Sequence, residues 1–243
     1  MKEILYANTL FDKEPIGMTN GFITLKECSS GEADSIIRKY HYSHKSTKNR
    51  FKSFSVNNGK GYLQLGYGIR PHLKHTISDL ITKDNYCEFD RMWLSDDLPK
   101  YSESQTIGLL LSYLKNVYQR IKFIITYADG SVGNTGIIYQ ATNAIYIGKV
   151  HVDFYLLASG ERVHPVSMYH RHGTRAWKFL QATYSGIKHI QDDWQYRYLY
   201  ILSKKMRKKY QERYAKNQLE GLGQFQPFAL KNNCTKKLPE LFT

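Results

Sequence analysis

The stretch that most limits what this chain can fold into is Phe123–Gly148, FIITYADGSVGNTGIIYQATNAIYIG. It opens with an unbroken apolar run, Phe123-Ile124-Ile125-Thr126-Tyr127, stopped by Asp129-Gly130. A short continuous apolar run ended by turn residues reads as a strand buried on both faces, which places it inside a sheet layered by helices. Asp129 then sits at the carboxyl end of an interior strand, where open α/β sheets place their ligands. A Gly/Asn-rich turn follows (Gly130, Gly133, Asn134, Gly136), and then a short helix carrying Tyr139. An acid, a flexible turn and a phenol one helix turn later have the makings of a site.

The rest of the chain supplies the layers. Gly21–Leu25 alternates and suits a first strand, and Glu32–Tyr40 has a short helical pattern that runs into His41-Tyr42-Ser43-His44. Two imidazoles, a phenol and a hydroxyl therefore crowd one helix-to-loop junction. Lys52–Gly68 reads as a hairpin around Asn57-Asn58-Gly59, because Asn-Gly between alternating apolar residues matches the turn such hairpins need. Cys87–Leu94 is a strand whose alternation places Phe89, Arg91 and Trp93 on one face and Asp90, Met92 and Leu94 on the other. Arg91 must reach a carboxylate, a phosphate or water, and an internal ion pair with Glu88, Asp90 or Asp129 stands beside the functional reading. Ser102 with Gln105 predicts a capping box, opening a helix with Ile107, Leu110, Leu111, Leu114, Val117, Tyr118 and Ile121 at helical spacing. Its N-terminus offers free N–H groups to an anion.

Beyond Gly148, Phe154–Leu157 and Glu161–His164 flank Ser159-Gly160 as a second hairpin. Ser167–Thr183 is a helix interrupted by Gly173, and its His170 and His172 point apart, as surface or nucleic-acid contacts rather than a metal pair. Gln195–Leu202 is a late strand. A basic run then begins at Lys204, Lys205, Arg207, Lys208 and Lys209. The expected organisation is a catalytic domain over residues 1–203 with a basic extension over 204–243.

Charge narrows the partners. The net charge of +14, from 35 basic against 21 acidic residues, favours a polyanion, and nucleic acid before membrane, since no spanning or lipid-anchoring segment is visible. The same balance also suits a soluble basic protein whose charge serves solubility alone. Three widely spaced cysteines, Cys28, Cys87 and Cys234, argue against a disulfide framework and for a reducing compartment. No apolar leader follows Met1, so a cytoplasmic location is expected.

The element order is similar to that of the GCN5-related N-acetyltransferase fold, an α/β (α+β) arrangement in which a central mixed twisted sheet has splayed middle strands flanked by helices. The splayed pair would be Cys87–Leu94 and Phe123–Ala128, with the cofactor-binding helix starting at Ser102. That superfamily's glycine-rich pyrophosphate loop is absent, and Pro99-Lys100-Tyr101-Ser102-Glu103-Ser104 stands in its place. Five motifs resemble, in order, the phage Mom DNA-modification family: His41-Tyr42-Ser43-His44; Asp90-Arg91-x-x-Leu94-Ser95-Asp96-x-Leu98-Pro99; Ser102-Glu103-Ser104; Tyr127-Ala128-Asp129-Gly130; and Ile138-Tyr139-Gln140-Ala141. They cover roughly residues 20 to 165.

The resemblance implies a transferase converting adenine in phage DNA to an N6-carbamoylmethyl derivative that host restriction does not cut. It implies Arg91, Ser104, Asp129 and Tyr139 as the catalytic set, with Ser102, Ser104 and Arg91 toward an acetyl-CoA or related acyl donor. His41 and Tyr42 would line the site and, with Asp129, form a hard N,O set suited to iron. The partner would be double-stranded DNA with the adenine flipped out, contacted by Lys204, Lys205, Arg207, Lys208 and Lys209. Two other readings stay open: an acetyl-CoA-dependent N-acetyltransferase acting on RNA, protein or a small molecule, and a DNA-binding protein on a degenerate transferase scaffold.

Overall fold

A computed structural model describes residues 1–9, 12–67, 77–191 and 194–219. His72, His75 and the chain beyond residue 219, with Cys234, lie outside the described residues. The chain divides into two compact units, each taken by itself. The first comprises Met1–Tyr127, Gly136–Gly148 and the chain from Tyr198; the second comprises Ala128–Thr135 and Lys149–Arg197.

The first unit is built on an antiparallel series: β1 (Glu3–Asn8), β2 (Lys13–Thr19), β3 (Thr24–Cys28), β4 (Arg50–Val56), β5 (Gly61–Gly66) and β6 (Tyr86–Leu94). The sheet continues through β7 (Phe123–Asp129), β12 (Trp194–Ile201) and β8 (Ile145–His151), in the order β1-β2-β3-β4-β5-β6-β7-β12-β8. Helices α1 (Ser30–Tyr40), α2 (Ser102–Val117), the short α3 (Ile137–Ala141) and α6 (Lys204–Leu219) complete it. The hairpin turn between β4 and β5 forms where the Asn-Gly signal expects it, with Asn57, Asn58 and Gly59 all at positive φ. The two strands before Thr24 are additional to the single strand read over Gly21–Leu25, whose register begins three residues later. Gly17 permits the close pairing of β2 with β3, since a Cβ there would lie 2.1 Å from Leu25 O.

The connection from β6 to β7 runs through α2, so these two strands are parallel, as a crossover requires. Only Tyr86–Phe89 pairs with Phe123–Thr126. Past Phe89, β6 stays on β5 while β7 runs on to Asp129 without it, which is the expected splay. Thr126 Oγ1 donates to Phe89 O at 2.9 Å, a buried tie at the last paired residues.

Within β6 the expected alternation fails. Leu65 pairs with Phe89 and Gln64 with Arg91, so Asp90 is an extra residue, a β-bulge. Phe89 follows Leu65 to one face, and Arg91 and Trp93 follow Gln64 and Tyr62 to the other. Trp93 accordingly joins Ala33, Ile37 and Tyr62 under α1, stacked on Tyr40 at 4.8 Å. Phe123, Ile125, Ile145, Ile147, Leu199 and Ile201 form the core beside β7, where each fully buried side chain contributes about 1.5–3 kcal/mol.

The basic run after Leu202 is a helix rather than a solvated tail. Tyr210 is buried and Met206 partly so against that same core, and Arg213 pairs with Asp79.

The second unit holds a small antiparallel sheet, β10 (Arg162–Val163), β9 (Phe154–Leu156) and β11 (Lys188–Ile190), with helices α4 (Pro165–His172) and α5 (Trp177–Thr183). Its core is Tyr155, Leu157, Val163, Met168, Leu180 and Ile187. Gly173, at φ 69°, separates the two helices where one interrupted helix was expected. Among the described residues no helix is long and apolar enough to cross a membrane.

Candidate functional site

Residues of the first unit gather where β6 leaves β7. The bulge turns Arg91 toward the loop after α1, where Nε donates to Lys45 O at 2.8 Å and Nη1 to Asp90 O at 2.6 Å. Among the described residues it forms no ion pair, so the internal-pair reading does not hold. The guanidinium instead straps the His-Tyr-Ser-His loop to the strand. Gly66 makes room for the bulge, since a Cβ there would lie 2.4 Å from Asp90 Oδ2. Burial raises the Asp90 carboxyl pKa, against the pull of Arg91.

His41 is buried at 7% exposure. Its Nδ1 accepts the Ser43 N–H at 3.1 Å and lies 2.8 Å from Ser43 Oγ, so the network assigns the proton to Nε2. Burial lowers its pKa to about 4, with Arg91 and then His44 adding to the effect. The folded protein thus binds this proton less readily than the unfolded chain. Stability is full above about pH 6.5 and falls as pH drops toward 4, by about 3 kcal/mol at most. His41→Asn is expected to flatten this acid limb; denaturant midpoints measured between pH 4 and 7 check it.

Tyr139, on α3, is half-buried. Its ring meets Phe89 edge-on at 6.2 Å and Tyr198 at 5.5 Å. Desolvation raises the phenol pKa, offset in part by its hydrogen bond with Thr126 and by Arg91. The group is therefore a protonated donor at neutral pH. Gly136 lets α3 start against Tyr198: its φ is 78°, and a Cβ would lie 2.3 Å from that ring.

At the start of α2 the expected capping box is replaced. The N-cap is Tyr101, left-handed at φ 71°, with no side-chain cap bond. Ser102 is buried and donates through Oγ to Pro99 O at 2.6 Å, so it braces the turn rather than facing a ligand. Ser104 Oγ donates to Tyr101 O at 2.9 Å. The amides of Glu103 and Ser104 meet no backbone acceptor among the described residues, leaving two donors for an anion.

Asp129 belongs to the second unit. Its Oδ1 accepts from Ser131 N at 3.0 Å and Ser131 Oγ at 2.5 Å, and its Oδ2 accepts from Arg162 Nη1 at 3.3 Å. Arg162 also donates to Ser131 Oγ at 2.8 Å and lies 4.8 Å over the Phe154 ring. The carboxylate caps the 3-10 turn Gly130–Val132, and Gly130 is required there because a Cβ would lie 2.5 Å from Trp194 O. In sequence Arg162 is only part of the Glu161–His164 strand, since nothing local ties it to a residue 33 positions earlier.

Nothing in the structure supports iron at His41, Tyr42 and Asp129. His41 Nδ1 accepts from the Ser43 amide, and both Asp129 oxygens accept hydrogen bonds, from Ser131 and Arg162. Among the described residues no three His, Cys, Asp or Glu are grouped to hold an ion. His41 and Tyr42 instead lie with rings 4.3 Å apart.

Of the basic residues on α6, Arg207 donates to Ile201 O at 3.4 Å and Lys208 pairs with Glu212 at 3.9 Å. Lys204 and Lys205 line a cavity of about 370 Å³ with Lys115 and Lys122.

The Mom protein family matches residues 22–218, so the likeness extends well past residue 165 and through α6. The methylcarbamoylase Mom of Escherichia phage Mu is 31% identical over 206 residues, covering 82% of this chain and 83% of that one. Solved structures of similar shape include the ribosomal-protein-S5-alanine acetyltransferase of Vibrio fischeri (TM-score 0.45, 8% identity, 78% of this chain and 98% of that). Arabidopsis thaliana NAA60 in complex with acetyl-CoA is another (0.44, 10%, 74% and 99%). The splayed mixed sheet is read from the strand pairing itself, not from these likenesses. With the match running over most of its length, the chain belongs to the Mom protein family.

Proposed function

We propose that this protein is a DNA-modifying transferase that converts adenine to N6-carbamoylmethyladenine and so protects the DNA from restriction. The family match over residues 22–218, which encloses Arg91, Ser104, Asp129 and Tyr139 together, carries this reading. The adenine N6 lone pair is delocalised into the ring, so the amine attacks carbon poorly unless its proton is held. Asp129, paired with Arg162, accepts a hydrogen bond from N6–H and takes the proton as the N6–carbon bond forms. As that bond forms, the donor's attacked carbon must release a leaving group with the bonding pair; Tyr139, protonated and desolvated, donates to that group, and Arg91 offsets the negative charge it carries.

An acyl donor suits the start of α2, where the Glu103 and Ser104 amides would hold one anionic group of it. Ser102 serves there as the brace of that turn. Such a donor would supply an activated two-carbon unit; the carbamoylmethyl group is joined through carbon, so plain acyl transfer does not make it. Residues 1–203 carry the chemistry in this proposal, with the basic segment from 204 serving the DNA. A duplex adenine must be flipped out at a cost of about a few kcal/mol, offset by phosphate contacts from Lys204, Lys205 and Lys209.

In cells expressing the protein, DNA should resist an endonuclease whose site contains adenine; full cleavage would contradict the proposal. Replacing Lys204, Lys205 and Lys209 with glutamine should weaken DNA binding and reduce the slope of log affinity against log salt by about 0.9 for each phosphate no longer neutralised. A slope equal to wild type would remove α6 from the DNA interface.

A further inference from the structure

The α4–α5 hairpin of the second unit has a surface the chemistry above does not use. Residues 165–184 contain Arg171, Arg175, Lys178, His170 and His172 and no aspartate or glutamate. Met168 and Leu180 are fully buried and anchor the hairpin's inner side. Tyr169, Trp177 and Phe179 are exposed at 52%, 39% and 42%. Trp177 lies 6.3 Å from Tyr155, nearly parallel, and Phe179 packs edge-on against His172. Among the described residues the Tyr169 ring meets the edge of His170, at 6.3 Å.

Arg171 is committed to Glu161 at 2.5 Å. Arg175 and Lys178 form no ion pair among the described residues. Between the helices a cavity of about 520 Å³ is lined by Tyr169, His170, Gly173, Thr174, Arg175 and Ala176. It therefore joins a ring face, a guanidinium and a hydroxyl around a concave turn with no opposing carboxylate. A solvated basic surface explains the cations but not an exposed phenol ring beside them. Phosphodiesters pair with unneutralised arginine and lysine, while base faces stack on exposed aromatic rings, tolerant of sequence.

We propose that the α4–α5 turn is a DNA-contact site that seats one nucleotide, its phosphate on Arg175 and Lys178 and its base on the Tyr169 ring. This rests on the DNA reading above and adds where the strand is held. The test is binding of the full chain to a labelled DNA oligonucleotide across a salt series, with adenine modification followed separately in cells.

Tyr169→Ala should weaken binding about tenfold and Tyr169→Phe should retain it, since stacking needs the ring and not the hydroxyl. Arg175→Gln with Lys178→Gln should lower the salt slope by about 0.9 for each phosphate they neutralise. Unfolding midpoints equal to wild type would show the fold intact. Wild-type affinity and slope in these variants would overturn the proposal, as would a wild-type chain that binds no DNA. If the variants bind and modify like wild type, the hairpin assignment alone fails. If binding depends on the hairpin but no adenine is modified, the contact stands and the transferase reading fails.

Discussion

Asp129→Asn is expected to leave the protein folded and to lower adenine modification by at least about 10²-fold, the lower end of what a positioned acid or base contributes. The geometry explains why the amide is the informative change. Asparagine can keep its Oδ1 on the Ser131 amide and hydroxyl, so the cap of the 3-10 turn survives. Its Nδ2, however, faces Arg162 Nη1 where a carboxylate oxygen accepted at 3.3 Å. The variant loses both the charge and the acceptor that N6–H would meet. Arg162 is about two-fifths exposed, so breaking this pair should cost only about 1 kcal/mol or less. Unfolding midpoints near wild type, together with modification near background, are the expected pair of results. Alanine would blur the test, because losing the cap costs about 1 kcal/mol by itself.

Arg91→Met should have the next largest effect, about 10²-fold, for a different reason. It removes the charge, the donor to Lys45 O that holds the His41–Lys45 loop against β6, and the donor to Asp90 O that fixes the guanidinium at the bulge. Misplacement of a site element by about 1 Å costs that much. A second readout separates positioning from general loosening. Arg91 contributes to holding the His41 pKa near 4, so its removal should move the His41 titration upward, as seen in imidazole proton shifts. Unchanged titration and retained modification would show that Arg91 does neither.

The features visible in sequence were those written in local pattern. The Phe123–Tyr127 run, the Asn57–Gly59 turn and the apolar face of α2 appear as their residues require. The Asp90 bulge did not, because it depends on Gly66 in a partner strand leaving room for the carboxylate. The capping box at Ser102 failed because Tyr101, in a left-handed conformation that tyrosine rarely adopts, takes the cap position and makes Ser102 the first residue of the helix. β1 and β2 were hidden because Ile4-Leu5-Tyr6 does not alternate and Pro15 interrupts β2, the two pairing only through a register shift beside that proline. Of the proposed set, Asp129 and Tyr139 could be named from their places at a strand end and a helix. The Arg162 contact to Asp129 crosses 33 residues and leaves no local trace.

Adenine chemistry at Asp129 is tested most directly by nucleoside mass spectrometry. DNA would be digested from cells expressing wild-type protein or Asp129→Asn at equal soluble levels. Wild type should yield a deoxyadenosine species heavier by a carbamoylmethyl group, and the variant none. Equal amounts of that species from both, or none from wild type, would contradict it.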